Sequence, residues 1–438
     1  MPMYEIMKDS GIEWLGKIPQ HWKQCKLSYC FYLIGSGTTP KSDNEDYYNG
    51  DIPWLQSGDI YGSTVTETSK RVTSIALNET PSLRIYKAPF IAIAMYGASI
   101  ANISVVTIDS CTNQACCVLS KPSDDIDAGY VFFVLNAAKK QLLLSSRGGT
   151  QPNISQDIIK KLVIPTPPIN EQKTISNYLK FATQNLNKAI AEAKASIEDY
   201  KLLKQSIITQ AVTKGLNPTV PMKDSGIEWI GEIPEHWEIA RIKYNYYLKG
   251  RIGWQGLKSD EFIDEGPYLI TGTDFDNGSI NWNKCYHISE YRYNEAPEIH
   301  VKERDLLVTK DGTVGKVAYI TQLPGPSSLN SHLLLIRSTN PNYDNRFLYW
   351  IIKSSIFEKY TGLSQNGSIM ASLSQEKISN FSYPIPSIEE QALIYNFLDA
   401  KCSEIDTLIK EKESMITDLE AYKKSLIFEV VTGKRKVC

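Results

Sequence analysis

The sequence has almost no imbalance of charge: 47 Lys and Arg stand against 49 Asp and Glu, for a net charge of -2 over 438 residues. A chain that attracts polyanions through its overall field carries a basic excess, so any such partner here must be met by local patches. Long hydrophobic runs are missing too. No apolar stretch approaches the roughly 20 residues that cross a bilayer. The opening, MPMYEIMKDS, has neither a basic segment nor an apolar one of the kind that directs secretion, so a cytoplasmic protein is expected. The eight cysteines form no CxxC pair and the five histidines show no ligand spacing. Neither a zinc site nor, in a reducing compartment, a disulfide framework is expected.

Enzyme signatures are equally scarce. DGTVGK (311–316) places Gly312 and Gly315 too close together for a phosphate loop, and Val317 stands where a magnesium-binding Ser or Thr belongs. NPNY (340–343) has Asn342 in place of the second proline of the adenine-methyltransferase loop, and no glycine-rich cofactor segment follows a strand upstream of it. No G-x-S-x-G elbow or HExxH occurs. The chain carries no cofactor motif of its own.

What is present is a repeat. Residues 7–22 read MKDSGIEWLGKIPQHW and residues 222–237 read MKDSGIEWIGEIPEHW, differing only at Leu15/Ile230, Lys17/Glu232 and Gln20/Glu235. PTPPINEQKTISNYL (165–179) matches PIPSIEEQALIYNFL (384–398). From there Ile197, Asp199, Lys204, Ser206, Ile208, Val212 and Thr213 recur as Ile416, Asp418, Lys423, Ser425, Ile427, Val431 and Thr432 without a gap. Self-similarity at half the chain length means two copies of one domain. Each opening is rich in Gly and Pro, which predicts turns with Trp14, Trp22, Trp229 and Trp237 packed down. The repeated His-Trp pair, His21 and His236 included, points to packing more than to catalysis.

Between opening and close, each copy holds short β-branched and aromatic runs bounded by turn residues. DIPWLQSGDI (51–60), PFIAIAMYG (89–97), ISVVTID (103–109) and CCVLS (116–120) fill the first; GPYLITGTDF (266–275), DLLVTKDGT (305–313), KVAYITQ (316–322) and HLLLIRS (332–338) fill the second. Helical stretches follow at 130–144 and 345–360. The mixture predicts an α+β fold with a twisted, largely antiparallel sheet. Each copy then runs without Gly or Pro, from about Glu171 to Val212 in the first. Apolar residues recur there at steps of three and four, as in a coiled-coil seam. The expected seam includes Ile175, Leu179, Leu186, Ile197 and Leu203, with Ile394, Leu398, Ile405, Leu419 and Tyr422 from the second copy. A helix of that length, about 63 Å at about 1.5 Å per residue, must bury its stripe. Antiparallel pairing of the two copies is the expected solution, giving a pseudo-two-fold molecule.

Taken together, the IPxHW opening, IPWLQSGDI, the RGGTQPNIS loop (147–155) and P-x-P-x-I-x-EQ before a long helix resemble the DNA-specificity (S) subunit of type I restriction–modification systems. The resemblance covers essentially the whole chain. It implies a repeated segment at 1–24, target-recognition domains at 25–165 and 238–384, spacer helices at 166–216 and 385–432, a repeated linker at 217–237 and a tail at 433–438. It further implies a non-catalytic subunit whose two domains each read half of a bipartite, asymmetric site in double-stranded DNA. The helices would fix the unread gap and dock two methyltransferase (M) subunits, with motor-nuclease (R) subunits completing the complex. S-adenosylmethionine, and ATP with Mg, would belong to those partners.

Under that reading, flexible Gly- and amide-rich loops with local positive charge are the candidates for DNA contact. In the first domain they are 35–44, the Met95–Gly97 bend and 145–153, with Lys41 and Arg147 for phosphate or guanine and Gln151 and Asn153 for adenine edges. In the second they are 249–260, 309–316 and 364–368, with Lys249, Arg251, Lys258, Lys310 and Lys316 as cations and Gln365 and Asn366 as amides. The second copy has no evident equivalent of Arg147 or Asn153. Trp54, Tyr268 and the run Tyr244, Tyr246, Tyr247 are expected to pack. A coiled-coil scaffold joining two protein-binding lobes, or a self-sufficient DNA-modifying enzyme, would be the alternatives.

Overall fold

The computed structural model describes residues 4–146, 153–251, 256–311, 314–362 and 373–437; the candidates Arg147, Gln151, Gln365 and Asn366 lie outside them. The chain forms two compact units, Met1–Lys194 with Ser414–Cys438, and Ala195–Glu413. The division cuts both long helices, so each unit holds one middle domain and part of each helix.

In the first unit the middle of the chain builds a five-stranded sheet in the order Phe31–Ser36, Cys116–Pro122, Phe90–Ala94, Ile103–Val106, Thr64–Val65. All its pairings are antiparallel except the last, which is parallel. Its central strand reads as an unbroken apolar run because both of its faces are covered. Ile91 and Ile93 point into the core that contains the long helices, while Phe90, Ala92 and Ala94 point into a second cluster with Leu55 and Ile60. Tyr48–Leu55 pairs with Cys111–Thr112 and Lys70–Val72 in a smaller sheet. Lys23–Lys26 pairs with Val163–Thr166, tying the opening to the close.

The second unit repeats this plan. Tyr246–Lys249, Leu333–Ser338, Leu306–Thr309 and Val317–Tyr319 form the main antiparallel sheet. Ile263–Ile270 pairs with Tyr286–His287 and Ser327–Leu329, and Glu238–Arg241 pairs with Ser382–Ile385. Again the central strand faces two ways, Leu306 and Val308 towards the helix-side core, Leu307 away from it. The fold is the expected α+β arrangement, twice.

Helices follow each sheet at Ala128–Ala137, Lys139–Leu144, Asn345–Ile352 and Ser355–Thr361. The long helices span Ile169–Lys214 and Ile388–Val431. In the first unit Ile175 and Leu179 share a core with Leu426, Ile427, Val430 and Val431. In the second, Ile208, Ala211 and Val212 share one with Ile394, Leu398 and Cys402. Within each unit the two helices therefore run antiparallel.

Two expected seam residues are misplaced. Ile175, Leu179, Ile197, Ile394, Leu398 and Ile405 are buried, and Leu186 and Leu419 half-buried, but Leu203 and Tyr422 are 49% and 45% exposed. The stripe steps instead from Tyr200 to Lys204 and from Leu419 to Lys423. Lys204 Nζ lies 2.6 Å from Asp406 Oδ1, and Lys423 Nζ lies 2.7 Å from Asn187 Oδ1. A lysine stem packs like an apolar chain while its ammonium reaches a partner; hydrophobicity alone shifts the stripe by one residue.

The repeated openings are short hairpins, Met7–Asp9 with Lys17–Pro19 and Met222–Asp224 with Glu232–Pro234. Trp22 and Trp237 are fully buried, and Trp14 and Trp229 partly so. Among the described residues, no helix is long and apolar enough to cross a membrane, and no group of three or more His, Cys, Asp or Glu side chains could hold a metal.

Candidate nucleic-acid interface

In each unit, loops gather at one end of the main sheet. In the first, the strand Phe90–Ala94 runs on into Met95, whose N–H donates to Ala115 O at 2.8 Å and whose carbonyl accepts from Ile154 N–H at 2.8 Å. Tyr96 forms an antiparallel bridge with Asn153. Ser155 then caps the helix Gln156–Lys161 by accepting from Ile158 N–H, and Gln156 Nε2 donates to Ser36 Oγ at 2.7 Å. The 35–44 loop arrives alongside. Gly37 N–H donates to Thr112 Oγ1 at 2.8 Å, and a Cβ at Gly37 would fall 1.7 Å from Thr112 O, so only glycine permits this approach. Thr39 Oγ1 donates to Gln114 Oε1. Ser36, Tyr96, Gln114 and Asn153 line a shallow cleft of about 420 Å³. Ser36, Tyr96 and Asn153, one residue from each of the three segments singled out in the first copy, thus meet in one place. Asn153 is exposed there; Lys41 is exposed on its loop but does not line the cleft.

The second unit closes the same way. Lys310 N–H donates to His332 O at 2.9 Å, and Lys310 O accepts from Leu373 N–H at 2.7 Å. Ser374 caps the helix Gln375–Ser379, and Gln375 Nε2 donates to Leu248 O at 3.4 Å. Ile154-Ser155-Gln156 and Leu373-Ser374-Gln375 are therefore equivalent, 219 residues apart. That short match was available in the sequence, at the offset that relates the long helices, and it aligns the loops that looked unrelated.

The cations of the second unit divide. Lys249 ends the strand Tyr246–Lys249, and a Cβ at Gly250 would lie 3.5 Å from Lys310 Nζ, so Lys310 folds back over the end of that strand. Asp311 Oδ2 lies 3.5 Å from His332 Nδ1 beside it. Lys258 is exposed on a turn whose N–H bonds Glu261; Arg292 holds the same turn through Glu261 and Gly256 O. Lys316 is exposed beside a groove of about 700 Å³ that Lys201, Lys204, Lys353 and Asp406 also line.

Arg251 does not fit a contact role. It is 3% exposed, and it donates from Nε to Leu329 O at 2.8 Å and from Nη2 to Ser328 Oγ at 3.0 Å. Burial, and then the neighbouring Arg292, pulls its pKa below the ordinary arginine value. A cation next to glycines looked like a loop residue, but the sheet folds over it. Conversely, Tyr244, expected to pack, is 70% exposed, whereas Tyr246 and Trp54 are buried as expected.

The profile described as "type I restriction modification DNA specificity domain" matches residues 19–199 and 253–417. The chain belongs to that family, the non-catalytic DNA-specificity subunits of type I restriction–modification systems. It is 22% identical over 428 residues to the type I restriction enzyme MjaVIII specificity subunit of Methanocaldococcus jannaschii, covering 96% of this chain and 94% of that one. It is 19% identical to the EcoBI specificity subunit of Escherichia coli, over 74% and 69% of the two chains. A solved chain from a study of assembly and conformational transition of the type I R-M system superposes with a TM-score of 0.73 at 16% identity, covering 94% of this chain and 98% of that one. The HsdS subunit from Thermoanaerobacter tengcongensis superposes with a TM-score of 0.55 at 16% identity, covering 95% and 98%. Membership implies DNA and the methyltransferase and motor-nuclease subunits as partners.

Proposed function

We propose that each unit reads one half of a bipartite, asymmetric DNA site through the end of its main sheet. The long helices set the unread gap and dock two methyltransferase subunits. S-adenosylmethionine, and ATP with Mg, act on the partner subunits, and the complex works in the cytoplasm. One observation supports the reading: the backbone hydrogen bonds of Met95 and Lys310 and the Ser155 and Ser374 helix caps match at the two sheet ends, while the side chains displayed there differ. Tyr96, Gln114 and Asn153 stand at one end; Lys249, Lys310, Asp311 and His332 stand at the other. Equal frames with unequal donors and acceptors suit a site whose halves differ in sequence.

The test is to co-express the chain with its cognate methyltransferase subunit and map N6-methyladenine by long-read sequencing. The expected result is a split motif with an unread gap, absent when either subunit is omitted. Exchanging residues 25–160 for the first domain of a relative should alter one half of that motif only. A soluble, assembled complex that leaves no pattern would instead favour a protein-binding scaffold.

A further inference from the structure

Where the two copies have drifted apart, a surface residue kept in both is informative. Residues 23–30 and 238–245 follow the repeated openings and occupy equivalent places. The N–H of Leu27 donates to Leu162 O at 2.9 Å and that of Ile242 to Phe381 O at 3.1 Å. Each then begins a single helical turn, Leu27–Cys30 or Ile242–Asn245. Across these eight positions the copies agree at one residue, Tyr29, repeated as Tyr244; Lys23 stands opposite Glu238 and Ser28 opposite Lys243. Packing does not hold the tyrosine there. The two side chains are 73% and 70% exposed, while Leu27 and Ile242 fill the cores beneath. Scattered exposed hydrophobics need no explanation; one kept at the same place while its neighbours change charge does.

Both tyrosines lie away from the reading loops. Each precedes the first strand of its main sheet, Phe31–Ser36 or Tyr246–Lys249, by two residues, and the far ends of those strands enter the 35–44 and 249–260 loops. Strands of six and four residues, at about 3.3 Å each, separate tyrosine from reading end by about 13–20 Å. In the first unit Tyr29 lines a cleft of about 420 Å³ that runs to the start of the long helix, with His21, Pro167, Ile169 and Gln172 in its wall. At offsets of 215 and 219 residues, His236, Tyr244, Pro386, Ile388 and Gln391 are the same residues. The chain thus carries twice one set of side chains that, in the first unit, forms a surface continuous with the long helix. The reading loops differ between the copies and this set does not. A partner bound as two identical subunits requires the same surface twice, whereas two different half-sites require different ones. Tyrosine is among the residues that dominate protein interfaces, with a large ring to bury and a hydroxyl to pair.

We propose that Tyr29 and Tyr244 are paired anchors, each seated in a pocket of one methyltransferase subunit, at the end of the main sheet opposite the reading loops. The anchors rest on the docking of two such subunits proposed above, and they place part of that contact outside the helices. Native mass spectrometry of the full chain in complex with its cognate methyltransferase subunit, followed through dilution, tests this. The wild type should hold two methyltransferase subunits. Tyr29→Ala or Tyr244→Ala should weaken one of the two about thirty-fold or more, and the double variant should weaken both. Tyr32 is as exposed as Tyr29, but its counterpart Tyr247 is tied by its hydroxyl to Glu298 O. Tyr32→Ala should therefore leave both subunits in place; an equal loss there would make the effect unspecific and overturn the anchors. A benzophenone side chain placed at position 29 or 244 should, on illumination of the assembled complex, join the chain to the methyltransferase. A link to bound duplex instead, or no link, overturns the proposal, as do two subunits held at wild-type strength by the double variant. A wild-type complex with one methyltransferase subunit or none defeats the docking reading itself, and the anchors with it.

Discussion

The indole of Trp22 donates to Glu171 Oε1 at 3.1 Å, joining the opening of the first copy to the start of its long helix. Trp237 and Glu390 repeat the contact at 3.1 Å, and His21 and His236 add Nε2 contacts to the same glutamates at 2.9 and 3.0 Å. The next residue works in the other direction. Gln172 Nε2 donates to Asp125 O and Pro167 O while its Oε1 accepts from Asp127 N–H; Gln391 does the same with Asn342, Pro386 and Asp344. Asp127 and Asp344 in turn cap the helices Ala128–Ala137 and Asn345–Ile352. The repeated His-Trp and Glu-Gln pairs are thus two sides of one latch between helix, hairpin and domain.

Glu171→Ala should strand the fully buried Trp22 N–H and cost about 1–3 kcal/mol, whereas Glu171→Gln keeps an acceptor and should cost less. Urea unfolding followed by tryptophan fluorescence measures both. Equal losses would mean that the carboxylate charge, not the hydrogen bond, matters.

Arg251→Ala should destabilise the second unit by about 2–4 kcal/mol, because it removes a buried donor from Leu329 O and leaves its space empty. The exposed change Lys258→Ala should stay within about 0.5 kcal/mol. Thermal unfolding separates the two; a neutral Arg251→Ala would return that residue to the contact candidates.

The displaced seam gives a similar contrast. Ile208→Ala should cost about 2–5 kcal/mol and Leu203→Ala about 0.5 kcal/mol or less. Asp406 is half exposed, so its coupling to Lys204 should amount to only about 0.5 kcal/mol and fade with salt. A double-mutant cycle at low and high KCl measures it.

Burial pushes Cys111 and Cys402 up to about 11 and Cys117 and Cys285 to about 12. Thiolate is the reactive form, so at pH 8 an alkylating reagent should modify half-buried Cys25 well before these four, as peptide mapping would show. Their raised values also fix a sign. Above about pH 8.5, the ordinary thiol value, the unfolded chain loses protons that the folded one keeps. Stability should therefore fall as pH rises from there towards 11.

The sequence by itself determined the duplication, the α+β class, the two long helices and the family, because each is written in local spacing: repeats, turn residues, and steps of three and four. The tertiary structure alone decided which side chains face outward. Lys204 and Lys423 took seam positions because a partner's oxygen lies opposite, and Arg251 went inside because a distant strand offers it acceptors. The equivalence of the two sheet ends emerged from hydrogen bonds made by Ile154 and Leu373 to strands 59 and 63 residues earlier. Periodicity measures the preference of a residue for water or core, not the arrival of a partner from elsewhere in the chain, and for polar side chains it is the partner that sets the position.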